Sequence, residues 1–113
     1  MQLPEEGYLL RIFIGESDKH EGKPLYEWLV LKAREHDLAG ATVLRGVMGF
    51  GANTRVIHTF KIEQLSADMP MVVEVIDTKE KLEMFLETID EHIAAGLVTL
   101  EKAQIRFYKA DKK

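Results

Sequence analysis

The stretch Gly40-Ala41-Thr42-Val43-Leu44-Arg45-Gly46-Val47-Met48-Gly49-Phe50-Gly51-Ala52-Asn53 decides how the chain is read, because it changes character half-way. Ala41 to Val47 is rich in β-branched and apolar residues and reads as a strand, whereas Gly46, Gly49 and Gly51 put three glycines into six residues. A strand runs into a glycine turn. Glycine reaches backbone conformations closed to other residues and has no side chain to hold a ligand away, so the N–H groups around these three could face a bound anion. A bulge or tight bend without a ligand would use the same residues. The spacing fits neither the dinucleotide fingerprint nor the Walker loop. Both need a helix to begin at the glycines, and here the chain continues polar and then strand-like.

Upstream, Gly40 follows Leu38-Ala39 where a helix C-cap belongs. The helix before it is predicted from Pro24, whose fixed φ and missing N–H suit a first helical position, to about Leu38. Leu25, Leu29 and Ala33 share one stripe with Trp28 beside it, while Lys32 and Glu35 turn away. Glu16 to Lys23 reads as a polar connector, and Tyr8 to Gly15 as a central strand interrupted only by Arg11. Its alternation places Leu10, Ile12 and Ile14 on one face and Leu9, Arg11 and Phe13 on the other.

Downstream, Thr54 to Leu65 has the alternation of a half-exposed strand and reads as a hairpin arm. The arm from Ala52 to Asp68 is expected to be the most mobile part of the free protein, a property that amide hydrogen exchange reads. Met71 to Ile76 is a second buried-type strand with one charge, Glu74. Asp77-Thr78 can cap the next helix, with Glu80 three residues after Asp77, and Leu82, Phe85, Leu86, Ile89 and Ile93 repeat at helical spacing. Ala94-Ala95-Gly96 ends that helix, and the run from Val98 to Tyr108 carries a last strand before a polar tail.

Without the arm the order is strand, helix, strand, strand, helix, strand. This is the ferredoxin-like βαββαβ sandwich, an α+β fold with a four-stranded antiparallel sheet, two helices on one face and an added hairpin arm. Leu9, Phe13, Val72 and Ile76, with Arg11 and Glu74, then occupy a second sheet face that no element of the chain covers, and self-association is the simplest remedy. Neighbouring first and third strands would also let Arg11 pair with Glu74.

The 113 residues fit one domain, 1–113. The absence of cysteine excludes disulfides and thiolate metal sites, and the sequence shows no signal peptide or apolar run of about 20 residues, so a cytoplasmic location is expected. Fifteen basic against nineteen acidic side chains oppose non-specific binding to nucleic acid. His20, His36, His58 and His92 lie in separate elements, and none forms a metal-ligand spacing with another. The acidic helix residues Glu80, Glu83, Glu87, Asp90 and Glu91 read as a solvated face. Lys102 and Arg106 follow the turn at Gly96, where this fold could bring them near a neighbouring subunit's glycine turn.

Gly40-Ala-Thr-Val followed by Gly49-Phe-Gly51 resembles the strand that enters the long T-loop of PII nitrogen-regulatory signalling proteins. Arg11-Ile-Phe-Ile-Gly-Glu16, Leu38-Ala-Gly-Ala-Thr-Val43 and Pro70-Met-Val-Val-Glu-Val-Ile-Asp77 look like an uncharacterised branch of the PII-like superfamily, and the resemblance covers nearly the whole chain. It implies a homotrimer with an adenine nucleotide, ADP or ATP, bound in the clefts between subunits. It also implies a flexible loop that signals to a protein target such as a membrane transporter or an enzyme. Thr42, Gly49, Phe50 and Gly51 match the T-loop side of that cleft, and Gly96 with Lys102 the loop that holds phosphates. Where the family has a Gly-Lys-x-Gly-x-Gly-Lys loop this chain has Gly96-Leu-Val-Thr-Leu-Glu-Lys102, and no tyrosine stands between Ala52 and Leu65 to take a nucleotidyl group. The nucleotide-binding set implied is therefore Thr42, Gly49, Phe50, Gly51, Gly96, Lys102 and Arg106, with no catalytic residue, no metal and no required cofactor. The alternatives are a small oligomeric ferredoxin-like enzyme acting on a small metabolite, or a ligand-free assembly protein.

Overall fold

The alternation at the start of the chain becomes β1 (Glu6–Gly15), whose residues Leu10, Ile12 and Ile14 are buried while Leu9, Arg11 and Phe13 are only partly covered. The structure, a computed structural model, describes residues 6–51 and 68–111. After β1 come β2 (Lys19–His20), β3 (Lys23–Pro24), α1 (Leu25–Glu35), β4 (Gly40–Arg45), β5 (Pro70–Asp77), α2 (Lys79–Ile89) with a 3-10 turn (Asp90–His92), and β6 (Leu97–Gln104). The main sheet has the order β4-β5-β1-β6 with every pair antiparallel, which is the ferredoxin-like arrangement expected. Of the predicted arm, Ala52 to Asp68, residues 52–67 lie outside the described residues.

The helices cover one face because their apolar stripes meet the inward side chains of the two central strands. Leu25, Trp28, Leu29 and Ala33 of α1 and Leu82, Phe85 and Ile89 of α2 form one core with Leu10, Ile12 and Ile14 of β1 and Met71, Val73 and Val75 of β5. Those strands carry inward side chains at every second position, so a slip of one residue in register would turn the core outward.

The ends of the elements differ from expectation for definable reasons. Pro24 is the N-cap of α1, with extended ψ of 137°, and not its first helical residue; its N-terminal neighbour Lys23 pairs with His20 across a two-residue turn, Glu21-Gly22, with φ of 54° and 79°. Positive φ at both positions is the signature of a type I′ hairpin, so the polar connector contains a small hairpin. The C-terminal end of α1 is not set by Gly40. Leu38 N–H donates to Ala33 O and Asp37 N–H to Arg34 O, a Schellman pair, with Asp37 at φ 61° in the position glycine usually fills. Glycine there has no Cβ to strain, so Asp37→Gly is expected to raise stability by about 1 kcal/mol, read by thermal melting.

Thr78, not Asp77, caps α2: its Oγ1 accepts from Lys81 N–H at 3.3 Å. Asp77 is fully buried and serves the loop before β4 instead, accepting from Ala39 N–H at 2.8 Å and from Thr78 N–H at 2.6 Å. The last strand stops at Gln104, which stands opposite Glu6 at the start of β1. Ile105 then folds over Gly7, where a Cβ would lie 2.4 Å from Ile105 Cδ1, and Tyr108 Oη donates to Ala39 O at 2.6 Å. The alternation through Phe107 therefore outlasts the strand.

Candidate functional site

Three segments converge beyond the ends of β1 and β5. The turn Gly15–Asp18 is tied by Gly15 N–H to Asp18 Oδ2 (2.9 Å) and Asp18 N–H to Gly15 O (3.2 Å), and Ser17 N–H donates to Asp68 Oδ1 (2.8 Å). The glycine turn leaves β4 with Gly46 N–H bonded to Pro70 O at 2.7 Å. Ala95–Leu97 leads into β6, and Gly96 presses so close to β1 that a Cβ there would lie 2.8 Å from Phe13 O. Between them lies a pocket of about 350 Å³ lined by Phe13, Phe50, Met71 and Leu97, by the glycines Gly15, Gly49, Gly51 and Gly96, and by Asp18 and Asp68. Its lining holds apolar surface and two carboxylates, and no lysine or arginine among the described residues. That is room for a flat base and a sugar, at the lower end of ligand pockets.

The three glycines of the turn are not alike. A Cβ on Gly46 would meet Pro70 Cγ at 2.8 Å, so packing on Pro70 accounts for that glycine, whereas Gly49 is accounted for by its φ of 157°, its Cβ position lying at an ordinary 3.4 Å from Pro70 Cγ. Gly51 has no positive φ, and no atom of the described residues lies within 4 Å of a Cβ built on it. Nothing among the described residues requires glycine there. Val47, Met48 and Phe50 beside it are exposed.

The open face of the sheet is striped. Directly opposed residues form an apolar row, Leu44-Val72-Phe13-Leu97, a polar row, Thr42-Glu74-Arg11-Thr99, and a mixed row, Gly40-Ile76-Leu9-Glu101. Leu44 and Leu97 are exposed, and Val72, Phe13, Ile76 and Leu9 half-buried. Arg11 Nε donates to Glu74 Oε2 at 2.9 Å, the pair expected from the sequence, and its Nη1 donates to Glu101 Oε1, which the sequence did not suggest. The bond to Glu74 above all, with the field of Glu101, outweighs desolvation and holds the guanidinium above its ordinary pKa.

The chain was compared with known proteins. The sequence model of DUF190, described as an uncharacterized ACR, matches residues 7–105. The chain belongs to the DUF190 family. A UPF0166 protein of Aquifex aeolicus (strain VF5) is 46% identical over 98 residues, covering 86% of this chain and 90% of its own length. One of Methanocaldococcus jannaschii is 30% identical over 104 residues, covering 91% and 93%. Among solved structures, CPII from Thiomonas intermedia K12, a nitrogen regulatory PII-like protein bound to ADP, AMP and bicarbonate, superposes with a TM-score of 0.65 at 15% identity over 88% of each chain. The structure of CPII bound to ADP and bicarbonate gives 0.63 over the same shares. The fold of this DUF190 protein is that of the PII-like proteins, as the resemblance implied.

In this DUF190 chain, Gly49, Phe50, Gly51 and Gly96 come together in the pocket. Thr42, Lys102 and Arg106 do not. Thr42 stands exposed in the polar row of the open face; Lys102 lies opposite Tyr8, at the other end of β6 from Leu97; Arg106 is exposed beyond that strand. The sequence reading missed Asp18 and Asp68, which it treated as loop residues, and the meeting of His20 with His92, whose ring centroids lie 4.6 Å apart. Among the described residues no group of three or more His, Asp or Glu could hold a metal, and no helix is long and apolar enough to cross a membrane.

Proposed function

We propose that this DUF190 protein is a regulatory subunit that binds an adenine nucleotide, ADP first among them, in the pocket beside Gly51, and that a second copy on the open sheet face completes the site. The observation that carries this is the convergence of Gly49, Phe50, Gly51 and Gly96 on one pocket in which the described residues supply no lysine or arginine. Its carboxylates and apolar walls suit a base and sugar; the phosphates need positive charge from elsewhere. Lys102 and Arg106 lie too far along the same subunit to supply it, so they serve a neighbour's pocket. The PII-like fold, and the ADP bound to CPII, support the same reading. Occupancy is passed to a protein target through the segment that leaves the pocket at Gly51 and returns at Asp68.

Titration calorimetry with ADP, ATP and adenosine tests the site. Lys102→Ala removes a charge-assisted hydrogen bond of roughly 1.5–3 kcal/mol and is expected to cost one to two decades of ADP affinity, with much less lost for adenosine. Gly51→Val is expected to abolish binding with helix content unchanged, since no described residue crowds that position. Failure to detect ADP binding in the millimolar range, or an ADP affinity indifferent to both Lys102 and Arg106, would sink the proposal.

Light scattering is expected to show a closed oligomer, a trimer, since burying the apolar row stabilises by about 25 cal/mol per Å². Arg11→Ala should weaken that assembly, because Glu74 and Glu101 are left charged at the contact; Glu74→Ala should weaken it less, since Arg11 keeps Glu101. A stable monomer at micromolar concentration would remove the shared site.

A further inference from the structure

We propose that Arg45 is a phosphate-binding residue of its own chain's pocket, held by Glu16 until a ligand that carries phosphate takes the place of that carboxylate, a proposal that rests on the pocket being a nucleotide site. Arg45 ends β4 just before the glycine turn, and Glu16 lies in the turn that follows β1, so the pair joins two of the segments that bound the pocket. Arg45 Nε and Nη2 both donate to Glu16 Oε1, at 3.3 and 3.1 Å.

The two members are not equally fixed. Glu16 N–H donates to Met69 O at 2.8 Å, and its neighbours are tied as well, Gly15 N–H to Asp18 Oδ2 at 2.9 Å and Ser17 N–H to Asp68 Oδ1 at 2.8 Å. Glu16 therefore stands on a braced turn, whereas Arg45 carries its guanidinium on a longer side chain from the end of an edge strand. Arg45 faces Met71 across the β4–β5 ladder, and Gly46 N–H beside it bonds Pro70 O at 2.7 Å. Met71 and Pro70 line the pocket, as do Gly15 and Asp18 on either side of Glu16. One strand spacing is about 5 Å, a distance that an arginine side chain spans.

Charge decides what the pair is for. Asp18 and Asp68 put two carboxylates into the lining, and these repel a phosphate unless a cation stands near them. Joined to Glu16, Arg45 is neutralised; parted from it, the same residue brings a positive charge to the pocket rim. Parting is easy, because the Arg45 and Glu16 side chains are 49% and 29% exposed and an ion pair so open to water is weak. Phosphate is also the better acceptor: it meets the two N–H groups of the fork with two oxygens, where Glu16 offers them one. Lys19, directly after Asp18, is exposed and has no such fork, and it serves as the control.

Calorimetric titration of ADP and adenosine into the full chain and its variants tests the exchange. Arg45→Ala is expected to lower ADP affinity about ten- to a hundredfold with adenosine affinity unchanged, and Glu16→Gln to raise ADP affinity about two- to fivefold. The opposite signs are decisive, since a pair that only braced the two turns would weaken binding whichever member were changed. Arg45→Lys should recover part of the loss, and Lys19→Ala should leave ADP affinity near that of the parent. In the Arg45→Ala background Glu16→Gln should have little effect. A gain there as large as in the parent would be plain relief of charge repulsion and overturns the exchange.

Equal loss of ADP and adenosine affinity in Arg45→Ala, or an ADP loss confined to Lys19→Ala, overturns it too. Both members of the pair lie outside the core, so the melting temperatures of the variants are expected to match the parent. Should Arg45→Ala not fold, Arg45→Gln takes its place in every comparison. The two readings fail separately. A parent chain that does not bind ADP removes the nucleotide site and the exchange with it; a parent that binds ADP, with Glu16→Gln no tighter, removes the exchange alone.

Discussion

Asp77→Ala is expected to lower the stability of the folded chain by about 3–5 kcal/mol, among the largest losses any single polar residue here can cause. The carboxylate is fully buried at the end of β5 and bonds the backbone N–H groups of Ala39 and Thr78, with Lys81 Nζ at 3.6 Å from Oδ2. Alanine leaves both part-buried N–H groups without their acceptor, and each such loss costs about 1–3 kcal/mol. Asp77→Asn keeps one oxygen and should lose roughly half as much. Chemical denaturation of the two variants beside the parent measures this. A loss below about 1 kcal/mol for alanine would mean that the loop before β4 finds other partners.

Phe85→Ala should cost about 3–5 kcal/mol, through lost apolar burial and the cavity left between α2 and the sheet. Phe85 is completely buried in the core shared by both helices, with the His36 ring edge-on at 5.6 Å. The neighbours come from elements pinned on several sides, so collapse into the space is limited. Phe85→Leu fills part of the volume and should be distinctly milder. Equal melting temperatures for the two variants would show that the ring's shape, and not its volume, is what the core needs.

The layout of the fold was legible because its periods are clean. Two strands interrupted by one charge each, Arg11 and Glu74, become neighbours in any ferredoxin-like order, so their pairing followed from the topology. Ends were less legible. A Schellman turn at Asp37 puts a non-glycine residue where the usual signal is glycine, and the alternation through Phe107 says nothing of where β1 stops offering a partner. The site was half legible. The sequence marks Gly46, Gly49 and Gly51 alike; only the packing of Gly46 against Pro70 and the backbone angle of Gly49 separate two structural glycines from the open one. That Lys102 and Arg106 stand away from the pocket of their own chain has no local signature, since the periodicity of a strand is the same at both of its ends. Contact between His20 and His92 joins residues from opposite ends of the chain, beyond what spacing can reveal.

In the proposed assembly the rows on the open face would also act as a ruler. A second copy displaced by one row, about 7 Å along the strands, would lay Leu44, Val72, Phe13 and Leu97 on the charges of Arg11 and Glu74. Such a misfit strips water from ions without giving them partners, so sliding is penalised far more steeply than a uniformly greasy face would penalise it. Related chains sharing one cell and one fold could be kept apart by the same device: moving a single charge between rows would suffice to make mixed assemblies unfavourable while each chain still recognises its own copies.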